Sequence, residues 1–540
     1  MIRPSRALGL AALLVAGLSV SVGVTAAGTT GSDTTEPTAT SEAVETTEPT
    51  ETSEVVDTTE AVATTELVET TETETTGAPS TSLPPFEPEP IEWTSLGDGL
   101  EEGRLEVPVD YADPDGPTFS LYLVRHLAND PDQRIGSLLV NPGGPGFGGT
   151  IFAESAEFIY GSTLLDSFDI VGWDPRGTGE SEPAIDCIDN YDEYYAGTDI
   201  TPDDDAERQQ IIDVAEGFAE QCIERNDAII EHVGTNNSAR DMDTIRRALG
   251  EDEISFFGFS YGSELGATWA TLFPDTVRAA VLDGATDPNA DAVEGSMQQT
   301  AGFEATFDTF LAQCSDDPGC AFHNDGDAEG AFDQLMLKID EKPLPSNDGR
   351  PNVTRGVAIQ AVAEAMYSDQ LWDTLETALD LATQGDGSGL LALYDSYYQR
   401  QADGTWDNSL EAFQTIVCMD TTERFTVEED DALAPEFTEI APRLSPGTTG
   451  TYFCTFFPDS IDPRIEITAA GAGPIVVCGA TGDPSTPLQS TKNMAASLED
   501  ARLIIIDANQ HTCYGADPCA DELIDDYLVN LIAPPPITEC

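Results

Sequence analysis

Residues 254–272 constrain this chain more than any other stretch. Ile254-Ser255-Phe256-Phe257 is a short apolar run, Gly258-Phe259-Ser260-Tyr261-Gly262 follows it, and Leu265, Trp269 and Leu272 then recur at helical spacing. That order predicts a strand, a sharp turn and a helix, with a serine on the turn. The turn forces Ser260 into a strained backbone conformation, and Gly258 and Gly262 remove side chains that would collide with the neighbouring strand and helix. The serine oxygen is left at the start of a helix, whose free N–H groups and positive dipole end favour an anion. Ser260 is the candidate nucleophile. Further apolar runs at 137–140, 168–172, 279–282, 474–477 and 502–506 alternate with helical patterns. This predicts an α/β fold, a mostly parallel sheet with helices on both faces. Several runs end in Gly or Asp clusters, at the strand ends where such folds place chemistry. From 288 to about 465 the strand rhythm stops. Phe303, Phe307, Phe310 and Leu311, then Val362 and Met366, recur at helical spacing there, which predicts a large, mainly helical cap over the strand ends, its aromatics serving as core.

A serine needs a base to take its proton. The chain has four histidines, His126, His232, His323 and His511, and only His511 follows a strand candidate downstream of the serine, so it is the expected base. The base needs a carboxylate to fix its tautomer. Asp483, in Gly482-Asp483-Pro484 after the run at 474–477, is favoured; Asp283, after the run at 279–282, is its rival. Two N–H donors should face the developing oxyanion. One is that of Tyr261. The other should come from Asn141-Pro142-Gly143-Gly144-Pro145-Gly146, where Pro145 has no N–H to give; Gly144 is preferred, with Gly143 and Gly146 as alternatives. Asp174-Pro175-Arg176-Gly177 reads as a turn held by its own Asp and Arg hydrogen bonds.

The N-terminus has Arg3 and Arg6, an apolar run at 7–24 and the small residues Thr25, Ala26 and Ala27, the pattern of a signal peptide over 1–27. Residues 28–90 are rich in Thr, Glu, Ser, Pro and Val and lack Lys, Arg, His and Cys, which predicts a disordered acidic tether. The folded part is expected at 91–287 and 466–540, with the cap at 288–465 between them. Formal charge over the 540 residues is -78, and residues 91–540 alone hold 85 acids against 20 bases. Such a surface repels phosphate backbones and anionic lipid, so nucleic acid is not an expected partner, and no stretch after the signal is apolar enough to span a bilayer. Ten cysteines in an exported chain favour disulfides. Cys314 and Cys320, across a short turn, are the easiest local pair; His323 beside them would make a zinc knuckle conceivable, but no second ligand cluster accompanies it. No His-Glu-x-x-His, dinucleotide fingerprint or phosphate loop is present, so neither metal nor organic cofactor is implied.

Taken together, Gly143-Gly144-Pro145-Gly146, Trp173-Asp174-Pro175-Arg176-Gly177, Asp241 with Arg246, Leu249 and Gly250, the flanks of Ser260, Gly482-Asp483-Pro484 with Thr486-Pro487, and His511-Thr512 with Tyr514-Gly515 resemble the secreted tripeptidyl aminopeptidases of actinobacteria, relatives of prolyl iminopeptidases within the α/β-hydrolase fold. The resemblance runs from about Leu96 to Cys540. It implies a secreted serine exopeptidase acting on peptides with a free N-terminus, a helical cap, and a C-terminal segment carrying acid and base. It also implies disulfides Cys187 with Cys222, Cys418 with Cys454 and Cys519 with Cys540. Gln510, Cys478 and Cys513 depart from the family pattern; a bridge between the two cysteines would staple the loop near the acid and base. A carboxylesterase or lipase using the same triad is the rival within the fold, and a catalytically silent surface-binding protein the rival outside it.

Overall fold

A computed structural model describes residues 86–346, 349–446 and 448–540. The expected signal peptide and most of the expected tether lie outside the described residues. One ten-stranded sheet organises the molecule: β1 (Thr94–Gly97), β2 (Leu100–Pro108), β3 (Thr118–His126), β4 (Gly136–Asn141), β5 (Phe168–Trp173), β6 (Ile254–Phe259), β7 (Val277–Asp283), β8 (Ile475–Ala480), β9 (Ala501–Ile506) and β10 (Ile537–Glu539). Their spatial order is β1-β2-β3-β5-β4-β6-β7-β8-β9-β10. From β5 to β10 every pairing is parallel, whereas β1, β2, β3 and β5 pair antiparallel. All six strands expected from apolar runs are present. The antiparallel edge was not anticipated, because β3 is half-buried and alternates: Phe119, Leu121 and Leu123 are fully buried while the residues between them are partly open, a period-two signal that a search for continuous apolar runs passes over.

Both faces of the sheet are covered. On one, helices Thr235–Leu249 and Tyr261–Leu272 pack Met242, Ile245, Leu265 and Trp269 against Leu139, Val171, Phe256, Leu282 and Val477. On the other, Phe152, Leu164, Ile524 and Leu528 from helices Thr150–Glu154, Ser162–Ser167 and Pro518–Asn530 meet Val140, Ile170, Phe257, Val281 and Ile504. The inner parallel strands β4 to β8 are thus buried on both sides, which is why they read as unbroken apolar runs, whereas β10 at the edge is largely exposed.

Between β7 and β8 the chain is helical, including Ala292–Asp316, Ala328–Glu341, Arg355–Met366, Trp372–Thr383, Ser388–Tyr397 and Ser409–Asp420. The first five share a core of their own built on Phe307, Phe310, Phe332, Met366, Leu379 and Leu390. Ser409–Asp420 instead packs Ala412, Ile416 and Met419 with the sheet-side core.

The turn after β5 is held as its sequence suggests. Asp174 accepts from Thr150 Oγ1 at 2.8 Å and from Glu180 N at 2.9 Å. Arg176, wholly buried, places its fork on Asp241 at 2.6 and 2.8 Å and donates to the carbonyls of Pro108, Val109 and His232.

Five disulfides close the ten cysteines: Cys187–Cys222, Cys314–Cys320, Cys418–Cys454, Cys478–Cys513 and Cys519–Cys540. Both cysteines beside His323 are therefore oxidised, and its Nδ1 lies 2.9 Å from the carbonyl oxygen of Cys314. Such a set of bridges fits an extracellular protein. Among the described residues no helix is long and apolar enough to cross a membrane.

Candidate active site

The sheet brings the sequence candidates to one rim. Chain order reverses across β5, β4 and β6, the switch point at whose strand ends open α/β sheets place their ligands. Asn141 ends β4, Phe259 ends β6 opposite Asp283 of β7, and Ala480 ends β8 opposite Ile506 of β9. The loops leaving these residues carry Gly143, Gly144, Ser260, Asp483 and His511.

Ser260 has φ 56° and ψ -126°, a conformation that costs a non-glycine residue about 1 to 3 kcal/mol and persists only where the surroundings impose it. Close packing imposes it here. A Cβ on Gly258 would sit 2.2 Å from Gly262 O, and one on Gly143 would sit 2.6 Å from Phe259 O and 2.9 Å from Ser260 Cβ. The Ser260 N–H donates across to Asp283 O at 2.8 Å. Behind the turn, Tyr261 OH meets Thr235 Oγ1 at 2.5 Å, and Thr235 donates its N–H and hydroxyl to Asp420 at 2.7 and 2.6 Å. Asp420 thereby satisfies an orphan donor at the start of helix Thr235–Leu249, and burial, reinforced by Glu264, pushes its pKa up to about 7.

His511 is buried and lies against Gly284, where a Cβ would be 3.0 Å from its Cε1. Both oxygens of Asp483 stand 2.9 Å from its Nδ1, and Thr486 Oγ1 stands at 3.2 Å. Asp483 in turn accepts from the N–H groups of Ser485 and Thr486 at 3.0 and 2.8 Å and from Thr486 Oγ1 at 3.0 Å. Burial alone would lower the His511 pKa, but the charge and hydrogen bonds of Asp483, with a smaller push from Asp283, hold it above the usual 6.5. Its Nε2 is buried and has no hydrogen-bond partner among the described residues. The cap closes on this residue from above: His511 N donates to Tyr367 O at 3.0 Å, and the Tyr367 ring meets the imidazole edge to face at 5.6 Å.

The carboxylate of the rival acid, Asp283, takes the N–H groups of Cys513 and Tyr514 at 2.7 and 2.9 Å and acts on His511 through its charge. Of the loop glycines, Gly143 spends its N–H on Asn141 Oδ1 at 2.9 Å, and Gly146 backs onto the cap, where a Cβ would lie 2.4 Å from Ser409 O. Thr486 and Tyr367 were not assigned roles from sequence. Thr486 carried a signal, since Asp483-Pro484-Ser485-Thr486, with an Asp three residues before a Thr in a Pro-containing loop, marks a side-chain-capped turn; the Tyr367 carbonyl carried none.

The model of the alpha/beta hydrolase fold matches residues 136–516. The chain belongs to that family. As an α/β-hydrolase it is similar to serine protease Hip1 of Mycobacterium tuberculosis, 35% identical over 485 residues that cover 84% of this chain and 91% of that protein. It is also similar to carboxylesterase B of the same organism, 34% identical over 496 residues covering 87% and 93%. Tripeptidyl aminopeptidase of Streptomyces lividans is 28% identical over 456 residues, covering 81% of this chain and 83% of the other.

Proposed function

We propose that this α/β-hydrolase is an exported serine peptidase that removes short peptides from free N-termini. The observation that carries the reading is the His511 imidazole, anchored at Nδ1 by both Asp483 oxygens with a buried Nε2 that has no partner among the described residues, on the same rim of the sheet as the strained Ser260 elbow. Similarity to a serine protease and to a tripeptidyl aminopeptidase supports it. Ser260 Oγ attacks the scissile carbonyl carbon as its proton passes to His511 Nε2. Asp483 holds Nδ1–H and stabilises the imidazolium. The carbonyl oxygen, now negative, is received by the N–H groups of Tyr261 and Gly144, since Gly143 is occupied by Asn141. The intermediate collapses, the amine leaves with the proton from Nε2, and water, deprotonated by His511, releases the acyl group from Ser260.

For the free ammonium we assign the cap residue Glu364. Among the described residues its buried carboxylate accepts one hydrogen bond, from Ser396 Oγ at 2.6 Å, and burial pushes its pKa up to about 7. Its charge is felt by Tyr367 and Tyr397, neighbouring rings of which Tyr367 rests on His511. A substrate ammonium would supply the missing counter-charge. Glu364→Gln is then expected to raise KM for free-amine peptides about 30-fold or more, the scale of losing one partner of a buried charge pair, with a smaller change in kcat.

The deciding experiment is a fluorogenic panel of free-amine mono-, di- and tripeptides, their N-blocked counterparts and a short-chain ester, with Ser260→Ala as control. Cleavage of free-amine peptides alone, lost in the alanine variant, is the expected result. Similarity to carboxylesterase B favours one second reading, an esterase on the same triad; turnover of the ester alone would select it.

A further inference from the structure

Asp283 is bonded to Ser260 and to the segment that follows His511, the two halves of the proposed proton-transfer pair. Its backbone oxygen accepts the Ser260 N–H at 2.8 Å. Its two carboxylate oxygens accept from Cys513 N at 2.7 Å and Tyr514 N at 2.9 Å, just past His511. The next residue, Gly284, donates its N–H to Cys478 O at 2.9 Å, and Cys478 is bridged to Cys513 with Cα atoms 6.2 Å apart. Gly284 also presents bare backbone to the imidazole edge and to Thr512 Cγ2, each 3.0 Å from where a Cβ would stand.

Two further observations say that this hub works against strain. Thr512, between His511 and the clamped residues, has φ 73°, an outlier for a β-branched side chain that the chain adopts only when held. Asp283 is completely buried, and a desolvated carboxylate is costly unless its oxygens are satisfied. Burial raises its pKa to about 7 although the two N–H groups and His511 pull it down. A fold that needed only to tie two backbone N–H groups could do so with a neutral acceptor.

We propose that Asp283 and the Cys478–Cys513 bridge form one clamp that sets the His511 imidazole relative to Ser260 Oγ, with Asp283 a positioning residue and not the triad acid. The proposal rests on the assignment of Ser260 and His511 above, but not on the class of substrate. The groups facing His511 are Asp483 and Thr486 from the loop after β8, Asp283 from β7 and Tyr367 from the cap. Among the described residues only the two aspartates carry charge there. Removing the Asp283 charge should therefore lower the His511 pKa, which a purely structural role would not do.

The test is the rate of Ser260 labelling by a fluorophosphonate as a function of pH, in the wild type, in Asp283→Asn and in the double variant Cys478→Ala, Cys513→Ala, each checked for folding by thermal melting. An amide keeps one acceptor but turns an N–H donor towards a backbone N–H. Asp283→Asn should label about tenfold or more slowly, the scale of a misplacement well under 1 Å, with its apparent pKa moved down. The cysteine variant should label several-fold more slowly with an unmoved pKa, since no charge is lost. Wild-type rate and profile in folded Asp283→Asn would overturn the proposal. Should Asp283→Asn not fold, the cysteine variant decides alone, and a wild-type rate there overturns it. If the wild type itself is not labelled, the nucleophile assignment falls and the clamp with it; labelling of wild type and variants alike removes only the clamp.

Discussion

His511 sits in opposed fields, and their balance fixes the pH at which the site works. Burial disfavours its cation, Asp483 and Asp283 favour it, and the net pKa lies above 6.5. As the proposed base, His511 must be neutral to accept the serine proton. A raised pKa keeps it protonated to higher pH, so kcat/KM should be lost on acidification through a midpoint above 6.5 and level off at mildly alkaline pH. Because Asp283 itself titrates at about 7, the midpoint belongs to the coupled groups together. Asp483→Asn removes the carboxylate that does most to stabilise the imidazolium, so its acid limb should move to lower pH while the plateau falls about 10⁴-fold; a pH profile of both proteins on one peptide checks this. At this scale the sequence was most informative where chemistry demands a rare residue. Four histidines leave few candidates for a base, and a serine between glycines at a strand end marks its own turn. Among 100 acids position alone could favour Asp483 over Asp283, and nothing in the sequence shows that Asp283 grips the loop carrying His511.

Glycines separate element geometry from element propensity. Gly146 has φ +90°, and a Cβ there would lie 2.4 Å from Ser409 O and 2.5 Å from Phe413 N, both backbone atoms of the Ser409–Asp420 region. Backbone cannot swing aside as a side-chain tip can, so Gly146→Ala should displace the loop bearing Gly144 from the cap. The expected outcome is a fall in kcat of about 10²-fold, the cost of losing one oxyanion donor, together with a lower melting temperature. Gly217 is the contrast. It lies within helix Asp205–Asn226 with nothing within 4 Å of its would-be Cβ, and Gly217→Ala should stabilise by about 0.5 to 1 kcal/mol in urea unfolding with activity unchanged. The strands buried on both faces were legible as apolar runs. The β1–β3 edge was not, because its alternating pattern and polar outer face resemble loop composition, and the tie of Ser409–Asp420 to the sheet-side core was hidden because Ala412, Ile416 and Met419 suit a cap interior equally well.

The whole molecule carries its charge in two populations that respond to pH in the same direction. The chain's net charge of -78 repels itself, a cost that is greatest in the compact state. Beneath that surface, burial raises Asp283, Glu364 and Asp420 to about 7 and Asp525 to about 6. These folded-state values exceed those of the unfolded chain, near 4. Between about pH 4 and 7 the native state therefore binds more protons than the unfolded state, and stability must fall as pH rises through that window. Neither population is offset by lysine, of which there are three, but the arginines spread over several acids: Arg443 reaches Asp308, Asp333 and Glu329, and Arg350 grips both Asp192 and Asp395. Such pairs are weakened by salt, whereas relief of the net repulsion is a gain from salt. With acids outnumbering bases 100 to 22, repulsion should prevail. The melting temperature is thus expected to rise as pH is lowered from 8 to 6 and to rise again on adding 1 M NaCl at pH 8. Calorimetry across those conditions checks both signs. A melting temperature that fell with salt would mean that the arginine networks, and not the surplus of carboxylates, govern the folded state.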